Sequence, residues 1–337
     1  MNSNEEWLLT NKEEALEPNL PICDPHHHLW DFNKTYIEET YLLPDILKDT
    51  ESGHNIVSTV FIECGAMYNP EHSIEDQVIN ETEFVNGIAA MSNSGLYGKT
   101  KIAEGIVGSA PLLFGDKVAN ILDKHISIAP KRFKGIRSQA AMHPDGTIPS
   151  TRARPIEGVY INDMFHQGFA HLEPRNLSFE AWCYHPQLPQ LIQLAKKFPN
   201  TSIILNHFGG PLGIGSFTDK EEETYSFWEK HITELSKCEN VVAKLGGIAM
   251  EINGFKWHLN KKAPSGLELI NRTKRYYEKT LDLFGIDRCM FESNFPVDKI
   301  SCSYVNLWNG FKLLTKDYSP DERTKLFHDN ATRIYKL

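Results

Sequence analysis

Eight short apolar runs recur along the chain, at residues 20–24, 55–63, 101–109, 133–137, 177–183, 201–207, 241–246 and 288–293. Several are almost continuous in β-branched or aromatic residues, as in NIVSTVFIE and TSIILNH. That is the pattern of strands covered on both faces. Amphipathic segments alternate with them. In residues 74–91, Ile74, Val78, Ile79, Val85 and Ile88 fall on one stripe, as a helix packed on one side requires. Residues 117–128, 189–198, 224–237, 267–284 and 305–315 read the same way, and 320–330 reads as a final short helix. Strands alternating with helices predict parallel β/α units with right-handed crossovers. Eight of them predict an α/β protein built as a closed (β/α)8 TIM barrel. The barrel is expected to be one domain spanning 20–337, behind an N-terminal extension of residues 1–19. An open doubly wound sheet would carry a glycine-rich turn after its first strand; here Pro25-His26-His27-His28 stands there instead. Two long loops, 138–160 after the fourth strand and 246–265 after the seventh, belong at the mouth of the barrel.

Composition narrows the chemistry. The chain has 337 residues, 35 basic against 44 acidic side chains and a formal charge of −9. General nucleic-acid binding needs a basic surface, so no nucleic-acid partner is expected. No apolar run reaches membrane-spanning length, and no membrane partner is expected. The first 19 residues are polar and acidic, unlike a signal peptide, so the expected location is cytoplasmic. Six cysteines, at 23, 64, 183, 238, 289 and 302, form no CxxC pair, which excludes the common zinc-finger spacings and argues against a disulfide framework. Fourteen histidines are present, three of them consecutive.

In a parallel barrel the strand C-termini converge on one mouth. The first run leads into His26 and His28; as an i, i+2 pair they point to the same side, with His27 opposed. Glu63, Arg137, His185 and His207 end or follow the second, fourth, fifth and sixth runs. Lys244 lies in the seventh, as a substrate-binding residue or as half of a structural ion pair. Asn294 follows the eighth, with Asp298 nearby. Converging histidines, a carboxylate and an arginine are the ingredients of metal or acid–base catalysis. Arg137 at an interior strand end needs an anionic or carbonyl partner. Arg152 and Arg154, in the loop after the fourth strand, are placed to clamp a carboxylate or sugar-acid group. His143 and His258, also in the long loops, read as structural.

These motifs together resemble the amidohydrolase superfamily, and more narrowly its amidohydrolase-2 branch of TIM-barrel hydrolases, which includes sugar-acid lactonases and 2-pyrone-4,6-dicarboxylate lactonase. The resemblance rests on CDPHHHLWDF, FKGIR, LSFEAWCYHPQLPQLIQLAKKFPNTSIILNHFGGP, NVVAKLGGIAM, RCMFESNFPVD and NATRIYKL, in that order. It implies a distorted (β/α)8 TIM barrel, a site floored by His26, His28 and His207, a substrate-binding Arg137, and hydrolysis of a lactone. It also implies that the three histidines would be the ligands of one divalent metal, zinc or manganese. One position departs from the pattern. Much of the superfamily ends its eighth strand in an Asp that ligates the metal and takes the proton of the attacking water; the matching residue here is Asn294. An amide cannot act as a base. Glu292, Asp298, His185 and His207 are the remaining groups able to take that proton.

The expected activity is therefore hydrolysis of a small anionic or sugar-derived lactone at the barrel mouth. His26, His28, His207 and Asn294 form its catalytic set, and Arg137, His185, Glu63, Lys244, Arg152 and Arg154 its substrate-binding set. A decarboxylase or hydratase acting on a small carboxylic acid is the alternative, and a non-catalytic acid-binding barrel a second one. The sequence leaves room for a homo-oligomer.

Overall fold

The computed structural model describes residues 3–31, 40–151 and 155–337. Its frame is eight strands: β1 (Pro21–His27), β2 (Asn55–Ile62), β3 (Lys101–Ser109), β4 (Phe133–Gln139), β5 (Ser178–Trp182), β6 (Ile203–Leu205), β7 (Val241–Leu245) and β8 (Cys289–Phe291). Each pairs in parallel with the next in chain order. The barrel closes between β8 and β1 through two backbone bonds just past β8: Asn294 N donates to His26 O (3.0 Å) and His28 N to Phe295 O (2.8 Å). The fold is thus the (β/α)8 barrel that the alternation predicts.

That closure depends on a side chain. Asp24 Oδ1 accepts the Ser293 amide (3.0 Å), and its Oδ2 accepts the Ser293 (2.6 Å) and Tyr304 (2.9 Å) hydroxyls. The register of β1 on β2 shifts on both sides of Cys23–Asp24, which distorts the barrel where the histidines leave it. β1 runs on to His27, past the expected end at residue 24. β6 and β8 stop after three residues, short of the expected ends. Soon after those ends His207 (φ 50°) and Asn294 (φ 57°) enter the left-handed region, which cannot continue a ladder.

Every expected helix forms, and several start at a side-chain cap. Ser73 Oγ accepts the Asp76 amide ahead of Ile74–Asn93, and Ser265 with Glu268 makes a capping box for Gly266–Phe284. The final helical run is longer than its pattern suggests: Pro320–Thr324 continues through a π turn, Lys325–Asp329, into Asn330–Tyr335. Its end packs Ala331 and Tyr335 against Cys23, Val60, Ile62, Val107, Ile204, Val242 and Met290 of the barrel interior. Burying side chains of this size is worth about 1.5–3 kcal/mol each. The lower barrel is therefore a packed stopper, and the mouth is left for chemistry. The N-terminal extension is strapped to the long loop after β7 and to the helix Tyr304–Leu314: Trp7 Nε1 donates to Asn260 O, and Lys312 Nζ donates to the Leu16 and Glu17 carbonyls. Among the described residues no cysteine is joined in a disulfide.

Candidate active site

A cavity of about 730 Å³ opens at the C-terminal end of the strands. His28, Arg137, His207 and Asn294 reach it from the barrel, and Gln139 and Cys64 from the ends of β4 and β2. Both long loops wall it: Pro149, Ser150 and Thr151 on one side, Met250, Glu251, Ile252 and His258 on the other. Trp30, Trp182 and Tyr184 add aromatic faces. His258 is thus a wall residue, with Nε2 3.5 Å from Glu251 Oε1, and not only a loop stabiliser.

The floor is built around Glu292. Its Oε1 accepts from His207 Nδ1 at 2.7 Å, and its Oε2 lies 2.7 Å from His26 Nδ1. All three side chains are buried. Two glycines let the strands approach so closely. A Cβ on Gly247 would sit 2.0 Å from His207 Nδ1, and one on Gly246 would sit 2.1 Å from the Glu292 carbonyl oxygen. The sequence KLGGIAM is therefore part of the site's architecture.

Hydrogen bonds set which ring atom each histidine offers. His28 Nδ1 lies 2.8 Å from the Ile62 carbonyl. A carbonyl can only accept, so Nδ1 carries the proton and Nε2 is left as a lone pair. His207 donates Nδ1–H to Glu292 and likewise keeps Nε2 for the cavity. His26 lies behind them, with Lys244 Nζ 3.3 Å from its Nδ1 and Arg137 Nη1 3.4 Å from its Nε2. Burial, together with these cations, holds His26 and His207 well below the ordinary histidine range; for His28 burial and Arg137 do the same. Burial pushes the Glu292 carboxyl up to about 8, against the pull of Lys244. His27 points away and meets Thr59 Oγ1 at 2.8 Å, as its position between the pair predicts.

Arg137 finds both kinds of partner that an interior arginine needs. Its Nε donates to Glu63 Oε1 (2.7 Å) and its Nη2 to the Glu63 carbonyl. Gln139 Nε2 shares the same carboxylate oxygen (2.5 Å). With one further N–H facing His26, two of the five guanidinium donors are uncommitted. Lys244 is sealed beneath the floor. Its Nζ pairs with Glu180 Oε2 (2.9 Å) and donates to the Pro25 carbonyl (2.8 Å), so the ion-pair reading of this residue describes its surroundings. Glu180, which sequence reasoning passed over, also accepts from Asn206 Nδ2 and the Tyr335 hydroxyl.

Other expected residues sit elsewhere. His185 is not among the residues lining the cavity: its Nδ1 accepts the Leu212 amide (3.3 Å), and its ring packs edge-on against Phe217 and Phe227. His143 also packs on Phe217. Arg152 and Arg154 lie outside the described residues. Among the described residues, the group close enough to hold a metal ion is His26, His207 and Glu292, with candidate ligand atoms within 4.8 Å of one another. His28 is outside that group, because Ile62 has claimed its Nδ1 and its ring turns to the cavity. Glu292 takes its place. Two imidazoles and a carboxylate are a zinc-type donor set. Glu292 Oε2 is buried and makes no well-aligned hydrogen bond, yet His26 Nδ1 lies 2.7 Å from it, so the two are placed to share a proton or a cation. The set therefore fits a metal ion in kind.

A barrel with this polar floor defines a class, and the chain belongs to the amidohydrolase family: the Amidohydro_2 family profile matches residues 23–337. An uncharacterised Sinorhizobium fredii protein, y4mH, is 32% identical and aligned over 95% of this chain and 99% of its own. An L-fucono-1,5-lactonase of Burkholderia multivorans is 26% identical over 179 residues, 51% of this chain and 56% of that one. Among solved structures, a Burkholderia multivorans amidohydrolase with bound zinc superposes with a TM-score of 0.71 at 20% identity, covering 94% of this chain and 99% of that one. A 5-carboxyvanillate decarboxylase of Novosphingobium aromaticivorans, complexed with manganese, gives 0.57 at 13% identity, covering 97% and 99%. Among the described residues no helix is long and apolar enough to cross a membrane.

Proposed function

We propose that this amidohydrolase opens the ring of a small anionic or sugar-derived lactone by water attack. The observation that carries the reading is His207, whose Nδ1 is held by buried Glu292 while its Nε2 faces the cavity beside Arg137. A histidine backed by a carboxylate is a general base with a fixed tautomer. His207 Nε2 takes a proton from water as the water oxygen bonds to the ring carbonyl. The uncommitted N–H groups of Arg137 stabilise the negative charge on the carbonyl oxygen. The ring C–O bond then breaks, and His207 returns its proton to the departing alkoxide, so lactone and water become one hydroxy acid. His28 Nε2 accepts from a substrate hydroxyl, and the aromatic walls hold the ring. The loop after β4 supports an anionic substrate through Arg152 and Arg154 in sequence alone. The lactonase-named relatives support the choice of bond.

A second reading has its own observation, the His26–His207–Glu292 group. These three would hold a divalent ion, and a bound zinc would polarise the carbonyl or lower the pKa of water. The test is acid release from L-fucono-1,5-lactone and L-rhamnono-1,4-lactone, followed with a pH indicator, on wild type and His207→Gln. We expect acid release by wild type, a loss of about 10²–10⁴-fold in the variant, and ¹⁸O from water in the product acid. Retention of the rate after dialysis against a chelator, with metal content checked by elemental analysis, supports the direct mechanism. Loss on chelation and return with zinc establishes the metal reading instead. Release of CO2 from a carboxylic acid, without ¹⁸O uptake, would overturn hydrolysis.

A further inference from the structure

Asn294 stands where a catalytic aspartate was expected, and its surroundings say what it offers. It follows β8, lines the cavity and is almost wholly buried. Its Nδ2 donates to Asp298 Oδ1 at 2.8 Å. The other oxygen of Asp298, Oδ2, accepts the Ala249 amide at 3.2 Å, and the Asp298 backbone amide donates back to Asn294 O at 3.1 Å. A backbone N–H cannot reverse its role, so Ala249 fixes one carboxylate oxygen and leaves the second for the Asn294 amide. Burial raises the Asp298 carboxyl to about 8, so above that pH it is a carboxylate, which only accepts. The nitrogen of Asn294 must therefore face Asp298, and its oxygen must face away, toward the cavity.

We infer that Asp298 is a positioning residue that locks the Asn294 amide with Oδ1 toward the substrate, making position 294 a hydrogen-bond acceptor for the attacking water. This rests on the hydrolase reading. A water molecule has two hydrogens. His207 Nε2 takes one as base, and Asn294 Oδ1 holds the other, which leaves an oxygen lone pair for the carbonyl. The acceptor at β8 survives the change from aspartate to asparagine; the base does not. A carboxylate stands four residues on, at Asp298, and it acts on the amide rather than on water.

Atom-by-atom consequences follow for substitutions. In Asp298→Asn, the single side-chain oxygen at 298 stays with the Ala249 amide, and its NH2 turns to position 294. Asn294 must then flip and present a donor to the cavity. In the double variant Asn294→Asp/Asp298→Asn, one oxygen at 294 accepts from the new amide and the other again faces the cavity as an acceptor. In Asn294→Asp alone, two carboxylates meet at the 2.8 Å contact and one must carry a proton.

The experiment has two readouts, both at pH 9 so that the carboxylate is present. The first needs no substrate: the side-chain NH2 of Asn294, assigned by ¹⁵N–¹H NMR, should show one slowly exchanging N–H in wild type that changes in Asp298→Asn. The second is hydrolysis of L-fucono-1,5-lactone, with the spontaneous rate subtracted. Asp298→Asn should lose tenfold or more in kcat with KM within about twofold, and the double variant should recover most of that loss. A rapidly exchanging Asn294 amide in wild type, an Asp298→Asn kcat within twofold of wild type, or a double variant as slow as Asp298→Asn would each overturn the inference. If Asp298→Asn does not fold, Asn294→Asp decides: it should be slower than wild type, and a gain in hydrolysis would overturn the assignment. If no lactone is cleaved but the amide signals behave as expected, the hydrolase reading fails and the locked amide stands.

Discussion

Two buried ion pairs flank the floor of the cavity, and they are built alike. Arg137 on β4 reaches back two strands to Glu63, and Lys244 on β7 reaches back two strands to Glu180. All four side chains are at most 6% exposed. Their surroundings differ. Arg137 lines the cavity and keeps uncommitted donors. Lys244 is sealed above the stopper, and its carboxylate is closed off by Asn206 and Tyr335. Alternate strands of a barrel fill successive layers of its interior. Depth therefore decides the role: the same chemistry one layer lower supports the site without meeting the substrate.

Breaking each pair should produce different losses. Lys244→Met leaves Glu180 charged, buried and without its cation, which should cost about 3–5 kcal/mol of stability. Denaturant unfolding measures it. Adding Glu180→Gln removes the stranded charge and should restore most of that loss. If the double variant is as unstable as the single one, the lysine stem, not the charge, was the support.

Arg137→Lys should do the reverse. A lysine keeps the charge beside Glu63 but loses the forked geometry that serves the carboxylate, the carbonyl and the cavity together. Stability should fall by less than in Lys244→Met, while the lactone hydrolysis rate should fall about 10–100-fold, equivalent to about 1.4–2.8 kcal/mol. A rate within twofold of wild type would place Arg137 with Lys244 as a support.

The sequence disclosed one pair better than the other. Arg137 was legible because an arginine ending an otherwise apolar strand has few places to go. Lys244 was legible as a charge inside a strand, but its partner was not, because β5–β7 register is a tertiary fact. Glu180 itself was visible as a lone charge in LSFEAWC. The eight strands were legible from apolar runs, and His26 and His207 from the strand-end rule. That rule failed at His185: Pro186 starts a helical turn there, and the ring swings out beneath Phe217 and Phe227. Glu292 was one of four groups able to take a proton. Its position between two histidines depends on the β8–β1 closure and on Gly246 and Gly247, which no local pattern encodes.

Glu292 connects the two flanks, since Lys244 lies 3.9 Å from its Oε2, and it predicts a pH dependence. Its folded value is raised to about 8, whereas an unfolded glutamate ionises near about 4.3. Between those values the unfolded chain binds fewer protons than the folded one, so this group makes stability fall as pH rises through that window. The rate should move the other way, because ionised Glu292 strengthens His207 as a base: hydrolysis should climb as pH rises through about 8. Glu292→Gln should flatten both slopes, leaving the share of Asp298, which burial also raises to about 8. A variant that keeps the rate limb assigns it to another group.

The smallest expected effect comes from a pair with the best geometry. Arg323 meets Glu17 through two bonds of 2.6 Å, Nη1 to Oε2 and Nη2 to Oε1, and so pins the N-terminal extension to the final helical run. The guanidinium holds the Glu17 carboxyl below its ordinary range. Glu17, however, is about half exposed, and water already solvates what the pair would gain. Arg323→Met should therefore cost no more than about 1 kcal/mol, and the cost should shrink in high salt. The Lys244→Met loss should persist there, because counterions do not reach the barrel interior. Unfolding both variants in low and high salt compares the pairs directly. A salt-sensitive Lys244 pair would mean that water reaches the lower layer, and the distinction between the two flanks would fall with it.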